Sequence, residues 1–336
     1  MSQNKSVSNT VRESRLIWAD ALRGFLIILV VFGHSLQHGD FENRIAWNVI
    51  YSFHMAAFFV ISGYVGYKKE YAISSLWGKS RQLLLPFVTW TLVEAFIRGN
   101  GISALYNAIL KPDSSYWFVF VLFVILFLFT LTMEICKRLK VNSDYLLPGG
   151  VILLIIVMVL TEFRLFGFQF ISLYFGFYVL GYMLNKYKIN IPANCVIVLG
   201  ILWMVMALFW RMHAVPAPLQ WATSYIPASL LTYSYRYIAA LFGSLFFIGL
   251  AMQSLNTDNR ICRTLAYFGN ISLGIYIVHL FIAKFLEPMY IGCFSSDTSI
   301  VFVVLDFVIK LSLSTIIVLI IQRIPFVRTL LLGKND

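Results

Sequence analysis

Charge is scarce in this sequence. Of its 336 residues only 12% are Asp, Glu, Lys or Arg, while 60% are hydrophobic, and a water-soluble domain normally carries about 25% charged residues. That excludes an ordinary soluble fold. Cysteine is nearly absent too: Cys136, Cys195, Cys262 and Cys293 are scattered without a C-x-x-C pair, which supports neither a disulfide framework nor a cysteine-based zinc site. There is no internal repeat, heptad array or low-complexity tract, which weighs against architectures built from duplicated halves. Acidic residues number 15 against 26 Lys and Arg, for a formal charge of +11. Basic residues flanking apolar spans account for this excess, so no nucleic-acid partner is inferred. The first fifteen residues are polar and lead into a long apolar run, not a short apolar core with a small-residue cleavage site, so no removable signal peptide is expected.

What the sequence has in abundance is apolar runs. A helix needs about 20 residues to cross a ~30 Å hydrocarbon layer, and ten windows approach that length: 17–37, 45–66, 83–100, 117–135, 146–162, 168–184, 194–210, 236–254, 265–286 and 300–321. The expected fold is therefore all-α, a polytopic integral membrane protein of about ten transmembrane helices. Lys and Arg concentrate on the N-terminus, alternate connections and the C-terminus, so the positive-inside rule places both ends in the cytoplasm. The expected division is a cytoplasmic segment 1–15, a membrane domain 16–322 and a cytoplasmic tail 323–336. The longest external connection, about 211–235, holds Pro216, Pro218, Pro227, Trp221 and Tyr225, the composition of an irregular or re-entrant interfacial segment or of an ordinary loop.

Ionisable side chains inside such spans cost several kcal/mol and need a partner, a cavity or a function. The first window carries Asp20, Arg23 and His34. Asp20 and Arg23 are one turn apart, and His34 follows Arg23 by eleven residues, about three turns, so all three project from one face with His34 roughly 16 Å further along the axis. Ser35 follows directly. In the second window His54 precedes Ser62-Gly63, where small residues allow close helix approach. Stepped along their helices at ~1.5 Å per residue, His54, Glu94 and His279 reach a depth similar to that of His34. Each taken alone is equally compatible with a hydrogen-bonded core residue. None has the spacing of a metal site, so no metal is expected. Lys79 and Arg81, before Leu83-Leu84-Leu85-Pro86, join Arg23 as cations able to dock phosphate at the inner side. Tyr116-Trp117-Phe118 reads as an aromatic belt or a sugar-stacking platform. Gly269-Asn270-Ile271-Ser272, leading to Tyr276 and His279, suits either tight helix packing or a thin ligand.

Together these residues resemble membrane acyltransferase family 3, whose members O-acylate bacterial surface polysaccharides, lipopolysaccharide, Nod factors and macrolides. Asp20-x-x-Arg23-Gly24 with His34 resembles the family's Arg-x10-His signature. Phe53-His54-Met55 through Ser62-Gly63-Tyr64 is similar to its second-helix motif, most of all in the fucose 4-O-acetylase-like branch. Arg81 to Pro86, Trp117-Phe118 and Leu273-Gly-Ile-Tyr276-x-x-His279 resemble further motifs. The pair of basic residues before the third helix, Lys79 and Arg81, departs from the family's two arginines in identity and spacing. The resemblance implies an inner-membrane O-acyltransferase that uses acetyl-CoA as co-substrate, with no permanently bound cofactor. Its acceptor would be an envelope glycan, such as the O-antigen of lipopolysaccharide, or an undecaprenyl-linked sugar. It further implies His34, Arg23 and Asp20 as catalytic residues and His54, Glu94, His279 and Ser35 in support. Arg23, Lys79 and Arg81 would hold acyl-CoA, and Trp117, Tyr116 and Tyr276 the acceptor. The competing reading is a transporter or flippase of an envelope lipid or small anion, whose charged stripe lines a pathway.

Overall fold

The computed structural model describes residues 16–37, 44–112, 116–255, 259–285 and 300–334. Every window found in the sequence falls on helix, and the described residues contain no strand. With no water in the hydrocarbon layer to satisfy backbone groups, a helix, which bonds its own N–H and C=O, is the form such apolar runs must take. The chain is an all-α polytopic membrane protein. Its helices are α1 (Ile17–Ser35), α2 (Ile45–Tyr51), α3 (His54–Val65), α4 (Leu76–Arg98), α5 (Ser103–Leu110), α6 (Trp117–Leu139), α7 (Ser143–Thr161), α8 (Phe168–Lys186), α9 (Ala193–Phe209), α10 (Ala228–Ser254), α11 (Arg260–Asn270), α12 (Ser272–Phe285), α13 (Ile300–Gln322) and α14 (Pro325–Leu332).

Among the described residues seven spans are long and apolar enough to cross a bilayer, and the bent pair α11–α12 makes an eighth. A count of ten is reached only by adding α4, which carries Lys79, Arg81, Glu94 and Arg98, and α9, which is 17 residues long. Two spans are interrupted where continuous helices were expected. The second breaks at Ser52-Phe53, where Phe53 leaves helical geometry at φ −143°. The ninth bends by 66° between Asn270 and Ser272.

Helix starts also move. α4 begins at Leu76, so Lys79 and Arg81 lie in its first turns, not in a loop before it. α10 begins at Ala228, just after Pro227, whose fixed φ suits a helix start. Arg236, the first residue of the expected window 236–254, therefore lies more than two turns inside α10, its guanidinium over the Trp210 ring at 5.6 Å. The external connection before α10 holds a short 3-10 helix, Ala217–Ser224. The expected tail is not a loose extension: α14 packs on α4, and the Trp90 indole donates to the Leu331 carbonyl at 3.0 Å. Cys293 and residues 1–15 lie outside the described residues.

Two helix pairs form the frame that holds the first and second spans. Where α1 meets α11, a Cβ on Gly24 would stand 1.8 Å from the Leu265 carbonyl oxygen, and one on Gly269 would stand 1.9 Å from that of Asp20. Where α3 meets α8, Gly63 and Gly181 face the Tyr178 and Val60 carbonyls at 1.9 and 1.8 Å in the same sense. In each pair a glycine on either helix admits the other's backbone, the small-residue packing that membrane helices use in place of a hydrophobic drive. Gly181→Val is expected to force α8 off α3 and to lower stability by at least about 2 kcal/mol. Gly78→Ala, with nothing within 4 Å of the added atom, is the matched control and should not lower it. Thermal midpoints in detergent compare the two.

Candidate active site

The interruption at Ser52-Phe53 shapes the site. The indole of Trp203 donates to the Ser52 hydroxyl at 2.9 Å, and that hydroxyl donates to the Val49 carbonyl at 2.7 Å, so the break is held from both sides. The ring of His54 follows at once, and its Nδ1 meets the Ile50 carbonyl at 2.7 Å. His279, on α12 past the bend, repeats the arrangement, with Nδ1 on the Ile275 carbonyl at 2.9 Å. A carbonyl only accepts, so in both residues Nδ1 carries the proton and Nε2 keeps its lone pair. Both rings are buried, and among the described residues Nε2 of His279 has no hydrogen-bond partner.

His34, half-buried near the end of α1, joins them. Its ring centroid lies 5.1 Å from that of His279 and 6.5 Å from the Tyr51 ring, and Tyr51 in turn stands 4.9 Å from His54. Nδ1 of His34 donates to the Gln37 side-chain oxygen at 2.9 Å, and the Gln37 amide donates to the Tyr51 hydroxyl at 2.9 Å. This chain of hydrogen bonds fixes the orientation of the His34 ring. Three imidazoles thus gather at the end of the bundle opposite the N-terminal end of α1. Among the described residues no group of three or more His, Cys, Asp or Glu side chains is arranged to hold a metal ion.

At the other end of α1, Asp20 and Arg23 form an ion pair at 3.1 Å, one helical turn apart. Asp20 is buried, whereas Arg23 reaches a cavity of about 450 Å³ whose rim carries four cations, Arg23, Lys68, Lys79 and Lys334, and no carboxylate. Its walls also include the apolar Ile27, Phe58, Leu122 and Leu273 together with Val30, Met55 and Tyr276. Val30 is one turn before His34, Met55 adjoins His54, and the Tyr276 ring lies 5.9 Å from that of His279. A basic rim combined with apolar walls suits a ligand with phosphates at one end and a less polar arm at the other.

The family model described as the acyltransferase domain matches residues 16–323. The chain belongs to this acyltransferase family. Two curated relatives are similar over a shorter stretch of 122 residues: the nodulation protein NolL of Sinorhizobium fredii, 34% identical over 32% of this chain and 33% of that protein, and NolL of Mesorhizobium japonicum, 30% identical over 31% and 32%. The chain thus matches about a third of the length of these relatives. No solved structure gives a significant match.

Against this family background, the structure sorts the residues singled out in the sequence. His34, His54, His279 and Tyr276 come together, and Arg23 and Lys79 meet at the cavity mouth. Arg81 does not line that cavity: it is exposed two residues further along α4. Glu94 is not among the histidines. Its carboxylate pairs with Lys284 at 2.6 Å and Arg98 at 3.6 Å, beside Tyr116 and in a second cavity. Helical rise alone put it at their depth, but its position on α4 aims it elsewhere. Ser35 is buried and donates to the Val31 carbonyl at 3.2 Å, the back-bond of a helical serine. Trp117 stacks on Phe170 at 4.3 Å and Tyr174 at 5.7 Å, so its ring is engaged by protein. Gly269 serves both readings offered for its segment, packing against α1 while it also lines the cavity.

Sequence reading missed Gln37, Tyr51, Lys68 and Lys334. Gln37 and Tyr51 were findable, because each lies three residues from a candidate histidine, one turn away on a helix. Lys334 was not, since only the return of α14 onto α4 brings it to the mouth. A differential prediction follows for the cations. Arg23→Ala and Lys68→Ala should each raise the KM for a phosphate-bearing donor about tenfold, while Arg81→Ala should change it less than about twofold. Initial rates at varied concentrations of such a donor check this, and equal effects at all three positions would contradict the assigned mouth.

Proposed function

We propose that this protein transfers an acetyl or other short acyl group from acyl-CoA to a hydroxyl of a cell-envelope glycan or its lipid-linked precursor. The observation that carries the reading is a cavity lined by four cations and also by Val30, Met55 and Tyr276, which neighbour the three clustered imidazoles. The CoA phosphates sit at the basic mouth, which by the positive-inside rule is cytoplasmic, and the pantetheine arm follows the apolar walls and brings its thioester carbonyl to the histidines. Nε2 of His34 accepts the proton of the acceptor hydroxyl as that oxygen attacks the carbonyl carbon. The C–S bond then breaks, and the departing CoA sulfur takes the proton back from the imidazolium. General-base help of this kind is worth about 10²–10⁴-fold. The apolar walls keep water from the thioester until the acceptor arrives. Asp20 holds Arg23 in place through their ion pair and acts by positioning.

On this reading the protein works in the bacterial inner membrane, with donor and acceptor meeting inside the bilayer. Mass spectrometry of envelope glycans, O-antigen included, from a deletion strain and its parent tests it. One glycan of the deletion strain should lack a single short acyl group, which the wild-type gene restores and the His34→Ala gene does not. Identical glycan masses in the two strains would overturn the reading.

A further inference from the structure

Resting on the acyl-transfer reading above, we propose that the second cavity, about 460 Å³ at the far end of α4, seats a hydroxyl-rich sugar ring of the acceptor. Its lining differs in kind from that of the first cavity. The first carries cations without a carboxylate, which suits phosphate. The second combines the Glu94 carboxylate, the Arg98 guanidinium and the Asn100 and Asn107 amides with the Tyr116 ring. A sugar hydroxyl both donates and accepts, so a site that reads several of them must offer acceptors and fixed donors side by side. Glu94 supplies the acceptor and is held in position by Lys284 at 2.6 Å. The alanines at 95, 104 and 108 leave the walls open for a ring.

Position supports the same assignment. Tyr116 forms one wall, and two residues later the Phe118 amide donates to the Tyr276 hydroxyl at 3.4 Å. Tyr276 borders His279, whose ring is 5.1 Å from that of His34. Phe118 and Tyr276 line the first cavity, and Tyr116, two residues before Phe118, lines the second. A donor in the first and a sugar in the second would be brought close together through this Tyr116–Phe118 stretch, neither occupying the other's site.

The full-length protein in detergent tests this with octyl glycosides of fucose, rhamnose, glucose and N-acetylglucosamine, alongside octyl tetraoxyethylene as a sugar-free control. Asn107 and Arg98 are exposed, so truncating them removes no core packing. With labelled acetyl-CoA, Asn107→Ala and Arg98→Ala should raise the KM for a productive glycoside about tenfold while kcat and the KM for acetyl-CoA stay within about twofold. In Asn107→Cys, the same glycoside at twice its Kd should slow maleimide labelling of that cysteine about threefold, and the sugar-free control should not. Transfer with unchanged glycoside KM in both variants and no protection overturns the inference and leaves the acyl-transfer reading standing. Sugar-specific protection without transfer to any glycoside upholds the sugar site and overturns that reading. Neither protection nor transfer overturns both.

Discussion

His34→Ala is expected to lower acyl transfer by about 10²–10⁴-fold while leaving the yield of folded, membrane-inserted protein unchanged. The two halves of this expectation have separate origins. His34 is half-buried and its ring bonds to Gln37, a neighbour on the same chain segment, while its contacts with the His279 and Tyr51 rings are made within the site, away from the glycine-packed helix frame. The chemistry is another matter. Nδ1 bonds to Gln37, so Nε2 is the nitrogen of His34 proposed to take the acceptor's proton, and alanine offers no replacement. His34→Gln sharpens the test, because it retains a polar group but not a base and should fall as far. Initial rates with matched amounts of purified protein, checked by size-exclusion profile, distinguish a catalytic loss from a folding loss. Activity within about threefold of wild type in either variant would remove His34 from the reaction.

Asp306→Ala is expected to cost about 3–5 kcal/mol of stability. Asp306 and Lys310 pair at 2.7 Å on α13, and both side chains are completely buried. Taking the carboxylate away leaves an ammonium in the core of a membrane bundle without its counter-charge, the costliest way to disturb such a pair. Removing both charges avoids that penalty, so Asp306→Leu with Lys310→Met should recover most of the loss. The pair also adjoins the site, since Phe307 meets Phe32 ring to ring at 5.4 Å. Thermal unfolding of the two variants in detergent reads the difference. A single variant as stable as the double would show that the pair is not what holds α13 in place.

The all-helical membrane fold was legible because hydrocarbon leaves the backbone no alternative, and apolar runs in this chain are long and clearly bounded. Helix breaks were not. Ser52-Phe53 and Ile271 carry no proline, and their non-helical geometry is fixed by partners distant in sequence, such as Trp203 on Ser52. The line from Arg23 to His34 could be read because both lie on one helix, where 3.6-residue periodicity fixes direction. Glu94 shows the limit of that reasoning: depth along a helix follows from residue count, but the facing neighbour depends on how helices are rotated and packed. The same limit applies to Arg81, two residues from Lys79 and so on another face of α4. Gly24, Gly63, Gly181 and Gly269 could be noticed as small residues, but their partners became known only once helix was placed against helix.

The most direct test of the account supplies the purified protein with labelled acetyl-CoA in the presence and absence of glycoside acceptors and follows free CoA and acylated sugar together. The account predicts that CoA appears only with an acceptor, in equal amount to acylated sugar, and that His34→Ala produces neither. CoA release that is independent of acceptor, or acyl transfer that persists in His34→Ala, would contradict it.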